Sequence, residues 1–101
     1  MLKMLQSYRA LVEALIEAKK IKNKDYENAI SKCIENLKPE MDKFMQWLDD
    51  DWLKKFIYLY YLKACNKAQY EVEIGNSNYN SMRLQCIRVC KKYDKIGGKK
   101  L

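Results

Sequence analysis

The sequence predicts an all-α fold, a bundle of four to five helices with a helix-turn-helix at its C-terminal end. Two observations predict the helices. Apolar residues recur at three- and four-residue steps almost throughout, and only three glycines and one proline interrupt 101 residues. A third predicts the closing motif: a short segment, Lys67 to Ile74, meets Gly75 and is followed by a longer segment with one apolar and one basic side. With 49% apolar residues and twelve aromatic ones, the chain has enough material for one core, which excludes disordered, collagen-like and low-complexity classes.

Each element has its own signals. A first helix over about Leu2 to Lys20 places Leu5, Tyr8, Leu11, Val12, Leu15 and Ile16 on one stripe. After Lys22-Asn23-Lys24, Asp25 can cap a second helix with Tyr26, Ala29, Ile30, Cys33, Ile34 and Leu37 facing inward. Pro39 closes that helix or opens the next, which carries Met41, Phe44, Met45 and Leu48. The run Asp49-Asp50-Asp51 suits the start of a further helix, where carboxylates cap free N–H groups and meet the positive end of the dipole. Trp52 to Leu62 is apolar nearly all round and is expected in the middle of the fold. Asn66 then caps the short helix to Ile74, Gly75 supplies a positive-φ terminus, and Ser77 caps a last helix to about Lys95. The expected division is a helical pair over 1–48 for dimerisation or partner docking, the helix-turn-helix region over 49–95 and a flexible tail over 96–101.

Charge is segregated. Residues 1–50 hold nine basic and nine acidic side chains, whereas residues 51–101 hold eleven basic against four acidic, so the second half carries the whole formal charge of +7. That half is drawn to a polyanion and the first half is not. Histidine is absent, which removes the usual general base, the commonest metal ligand and the Ser-His and Cys-His nucleophiles, and so argues against an enzyme. The longest apolar stretch, Phe56 to Leu62, has seven residues against the ~20 that span a bilayer, so the expectation is a cytoplasmic protein with no membrane contact. Cys33, Cys65, Cys86 and Cys90 all fall on expected apolar faces without knuckle spacing, which favours reduced core residues over a metal site; no cofactor is expected. Tyr58, Tyr60, Tyr61, Trp47 and Trp52 read as buried rather than as a stacking platform.

The last helix carries the functional argument. Tyr79, Met82, Cys86, Val89, Cys90 and Tyr93 share an arc of about 100°, with Arg83, Arg88, Lys91, Lys92 and Lys95 assigned to the opposite side. Asn78, Asn80, Ser81 and Gln85 stand near its start. Amide and hydroxyl groups there suit base edges, while arginine and lysine neutralise phosphates or read guanine. In a helix-turn-helix the second helix enters the major groove. The solvated side of a surface helix would show the same pattern.

Residues 51–93 resemble the C-terminal DNA-binding region of bacterial sigma factors, and more closely small phage-encoded transcriptional regulators built around it. Leu48-Asp49-Asp50 through Phe56-Ile57-Tyr58-Leu59-Tyr60-Tyr61-Leu62 matches the family's "LxD…ixxLxYxxg" helix. Asn66 matches its polar cap, and Gln69-Tyr70-Glu71-Val72-Glu73-Ile74-Gly75-Asn76-Ser77 matches "E-x-I-A-x-x-L-G-x-S". Glu71 stands where the family prefers alanine, and an extra residue fits around Asn78-Tyr79-Asn80. The resemblance implies a DNA-binding transcriptional regulator of phage or mobile-element type. Asn78, Asn80, Ser81 and Gln85 would contact bases, Arg83 and Arg88 bases or phosphates, and Lys67, Lys91, Lys92 and Lys95 phosphates. Its partners would be double-stranded DNA, RNA polymerase or another host protein, and a second copy as a homodimer. The rival expectation is a small helical inhibitor or adaptor acting on host machinery without touching DNA.

Overall fold

The computed structural model describes residues 1–100, with side chains described as far as Ile96; Leu101, within the tail expected over 96–101, lies outside the described residues. Helix α1 spans Leu2–Lys20 and α2 spans Lys24–Trp47. They turn back on each other through Lys22, which takes a positive φ of 57°, and Asn23, whose N–H donates to the Ala18 carbonyl at 3.1 Å. The cap of α2 is Asn23 rather than Asp25: its Oδ1 accepts from the Tyr26 N–H at 3.1 Å, leaving Asp25 and Glu27 in the first turn, where the dipole favours them.

Pro39 neither ends nor opens a helix. It sits inside α2 on the solvent side, so the carbonyl of exposed Glu35 that loses its N–H partner faces water. On the other side Leu37, Met41, Phe44, Met45 and Leu48 continue one apolar stripe, which carries the helix through the proline. The expected second and third helices are therefore one. The inward face expected for Tyr26, Ala29 and Cys33 is also not found; all three are exposed, as is Ile16 on α1.

Asp50 caps α3 (Asp51–Ile57) by accepting from the Leu53 N–H at 3.1 Å. The chain then widens into a π turn over Tyr58–Leu62 and stops at Ala64, whose φ is 58°. Leu53, Phe56, Ile57, Leu59 and Tyr61 are core, whereas Trp52 is 56% exposed and Tyr58 is also open to solvent, so burial here is one-sided rather than all round. Helix α4 spans Lys67–Ile74, with a full capping box in which Asn66 Oδ1 accepts from the Gln69 N–H and Gln69 Oε1 from the Asn66 N–H. Gly75 ends it at φ +80°, its N–H donating to the Glu71 carbonyl at 2.9 Å, so half-buried Glu71 leaves the terminus regular. Helix α5 spans Tyr79–Lys100. It starts two residues after Ser77, which is not in the helix, and its backbone continues through Gly97 and Gly98, where a flexible tail was expected.

The described residues are all helical or in connecting turns, and they form a slab about 40 × 39 × 17 Å. Leu5 of α1, Met41 and Phe44 of α2, Phe56 of α3, Tyr70 of α4 and Cys86 of α5 meet in the core. Arg9 holds α1 against the π turn. It donates to the Tyr60 carbonyl and, at 2.8 Å, to the Cys65 carbonyl, and its guanidinium lies 4.1 Å from the Tyr60 ring centroid. Two predictions follow from these contacts. Arg9→Ala leaves two carbonyls without their donor and should cost about 2 kcal/mol, read as a lower urea midpoint at unchanged m-value. A Cβ at Gly75 would meet no atom within 4 Å, so Gly75→Ala should cost only the left-handed conformational penalty of about 1 kcal/mol, and Gly75→Asn less.

Candidate nucleic-acid interface

Aromatic packing sets the pose of α4 and α5. The Phe56 ring meets Tyr70 edge-on at 5.2 Å and Tyr60 face-on at 5.5 Å, and Tyr79 lies 5.3 Å from Tyr60. Tyr70 Oη donates to Asn78 Oδ1 at 2.6 Å, which ties the inner side of α4 to the residue in front of α5. Behind α5, Tyr93 packs edge-on against Phe44 at 5.0 Å and Trp47 at 5.1 Å. Met82, Cys86 and Cys90 are buried along the same stripe. The contact with Cys90 and burial push the Cys86 thiol up, and both cysteines are buried free thiols. Among the described residues no group of His, Cys, Asp or Glu could hold a metal ion. Cys33 departs from the core expectation because it lies on the open side of α2.

The sequence-predicted site residues do not all share one surface. Asn80, Ser81, Arg88, Lys91 and Lys95 are exposed on the outward side of α5. Arg83 is exposed but does not belong with them: it stands about 140° round the helix from Arg88, close enough to Tyr79 for its charge to act on that phenol. Asn78 is half-buried and engaged by Tyr70, so it serves the turn. Lys67, at the start of α4, has its ammonium 5.7 Å from the Tyr79 ring centroid. Gln85, Arg88 and Lys92 line one wall of a cavity of about 420 Å³, with Asp49 and Asp50 on the other wall and Leu53 and Val89 between them.

Leu84, half exposed at the middle of the outward side, was missed. Its position, about 160° from Cys86, would have found it, since a leucine so far from the packed stripe has no core to join. The single acidic residue of α5, Asp94, is paired with the Met1 ammonium at 2.7 Å. The outward arc thus holds Asn80, Ser81 and Leu84 followed by Arg88, Lys91 and Lys95, with no acid among them. None of Arg83, Arg88, Lys91, Lys92 and Lys95 is ion-paired with a described residue.

Comparison with protein-family models, curated proteins and solved structures returns no match. No helix among the described residues is long and apolar enough to cross a membrane.

The tyrosines that hold the turn predict a pH dependence. Tyr61, Tyr70 and Tyr79 are raised above the ordinary phenol value of 10.0, in each case first by burial. A raised folded-state value means that folding favours the neutral phenol, so this stability is complete below pH 10 and is lost as pH climbs beyond it. Alkaline titration followed at once by tyrosinate absorbance and helical CD should show these phenols ionising together with unfolding; normal titration of every phenol with the fold intact would contradict the packing described.

Proposed function

We propose that this protein binds duplex DNA through the outward side of α5 and acts as a transcriptional regulator of phage or mobile-element type. The observation carrying the reading is the outward arc itself: Arg88, Lys91 and Lys95, none ion-paired among the described residues, in line with the polar Asn80 and Ser81, on a helix that follows the Gly75 turn. Hydroxyl and amide groups at the leading end of a groove-inserted helix face base edges, and the trailing cations neutralise phosphate. Leu84 adds an apolar group suited to a thymine methyl. Lys92 and Arg83 extend positive charge to the two flanks, and Lys67 adds a cation from α4.

The second reading is a helical inhibitor or adaptor that binds another protein. It is favoured by the cavity beneath α5, where an apolar floor lies between carboxylates and cations, an arrangement suited to a peptide of mixed charge rather than to a polyanion.

The test is fluorescence anisotropy with a labelled mixed-sequence duplex over a salt series. Neutralising four to five phosphates predicts a log-log slope of about −4, and Arg88→Glu/Lys91→Glu/Lys95→Glu should abolish binding with the helical CD spectrum intact. Reversing Lys19, Lys20 and Lys22, at the far end of the hairpin, should leave affinity within about twofold. No response to duplex in the wild-type protein, or a triple reversal that changes nothing, removes α5 from any DNA interface.

A further inference from the structure

The α1–α2 hairpin has a side that the other described residues leave bare. Ser7, Ala10 and Leu11 from α1 and Cys33, Asn36 and Leu37 from α2 line a shallow groove of about 510 Å³ with no charged residue in it. Tyr26, 47% exposed, lies along the same side of α2. Small side chains here let another helix layer approach closely, and the absence of charge means that covering them strands no ion.

We propose that a second copy of this chain covers the groove, pairing two hairpins into an antiparallel four-helix bundle. The argument is charge self-complementarity. A twofold axis running across both helices brings residues at equal distances before and after it into contact across the interface. On α1, Lys3 and Glu17 stand seven residues either side of Ala10, on nearly the same line of the helix. On α2, Lys32 and Glu40 stand four residues either side of Asn36. Ala10 and Asn36 both line the groove, so one axis serves both helices. It sets Lys3 against Glu17 of the second copy, twice, and brings Lys32 level with its Glu40, which also meets Lys43 of its own helix at 3.5 Å. All four residues are exposed, and Lys3, Glu17 and Lys32 have no ion-pair partner among the described residues. The hairpin holds nine basic and seven acidic side chains and is far closer to balance than the second half of the chain, so two copies meet there without bringing their cationic halves together. The proposal is independent of the nucleic-acid reading.

Sedimentation equilibrium on the full chain should show a reversible monomer–dimer equilibrium. Lys3→Glu and Glu17→Lys should each raise the dissociation constant about threefold to tenfold, since each reversal creates two like-charge contacts, and the double exchange K3E/E17K should return it to within about twofold. Under mild oxidation, Ala10→Cys in a Cys33→Ser background should form a disulfide-linked dimer because position 10 lies on the axis. Wild-type Cys33, out of register with its copy by about 9 Å along the helix, should not. A monomer at every concentration, a dimer indifferent to either single reversal, failure of the double exchange to restore it, or cross-linking at Cys33 in place of position 10 each overturns the proposal.

Discussion

The pose of the C-terminal helices depends on one guanidinium. A π turn is wide, and at Tyr58–Leu62 it leaves the chain near its end with backbone carbonyls that no following helix satisfies. Arg9 reaches across from α1 to take the Tyr60 and Cys65 carbonyls while its flat face lies on the Tyr60 ring. A lysine has neither the fork nor the flat face needed to do both. With Tyr60 held, the chain of rings through Phe56 to Tyr70 and Tyr79 has a fixed end, and that chain orients α4 and α5. Glu13 sits 3.0 Å from Arg9 Nε and completes the restraint on its solvent side.

What was legible in the sequence was what short-range chemistry decides. The limits of α1 and α4, the Asn66 cap and the Gly75 terminus each follow from a few neighbouring residues and stand where local rules put them. Pro39 misled because its local rule, a broken helix, is overridden when the lost hydrogen bond faces water and the packed stripe runs on beneath it. The π turn left no periodic sign, since FIYLYYL is apolar in any helical register. Ser77 lost the start of α5 to a long-range contact: Tyr70 binds Asn78 and fixes the chain one residue later than Ser77 would. The spacing of Cys33 from Ile30 and Leu37 predicts a core position, yet it is exposed, on the side of α2 that no other element among the described residues covers.

The candidate interface was legible in its residue types more than in its geometry. The cationic content of α5 could be read directly, but its division into an outward arc, an Arg83 flank near Tyr79 and a cavity wall facing Asp49 and Asp50 depends on what packs beside the helix. Those two aspartates matter for any polyanion. Asp50 is committed as the α3 cap, so its charge is fixed near Arg88 and Lys92 and opposes phosphate on that side. Within the outward arc only Arg88 borders these carboxylates; Asn80, Ser81, Leu84, Lys91 and Lys95 do not line that cavity.

Segregated charge and the proposed pairing of hairpins meet in one distance. With the twofold axis at Asn36, the C-terminal end of α2 at Trp47 lies eleven residues from it, so the two copies of that end stand about 33 Å apart along the bundle. Tyr93 of α5 packs on Trp47 at each end. Successive major-groove faces on one side of a duplex recur every ~34 Å. Under the two proposals together, a bundle of this length would hold two cationic helices at the spacing of adjacent half-sites: the nearly balanced half of the chain would set a separation, and the cationic half would engage the polymer.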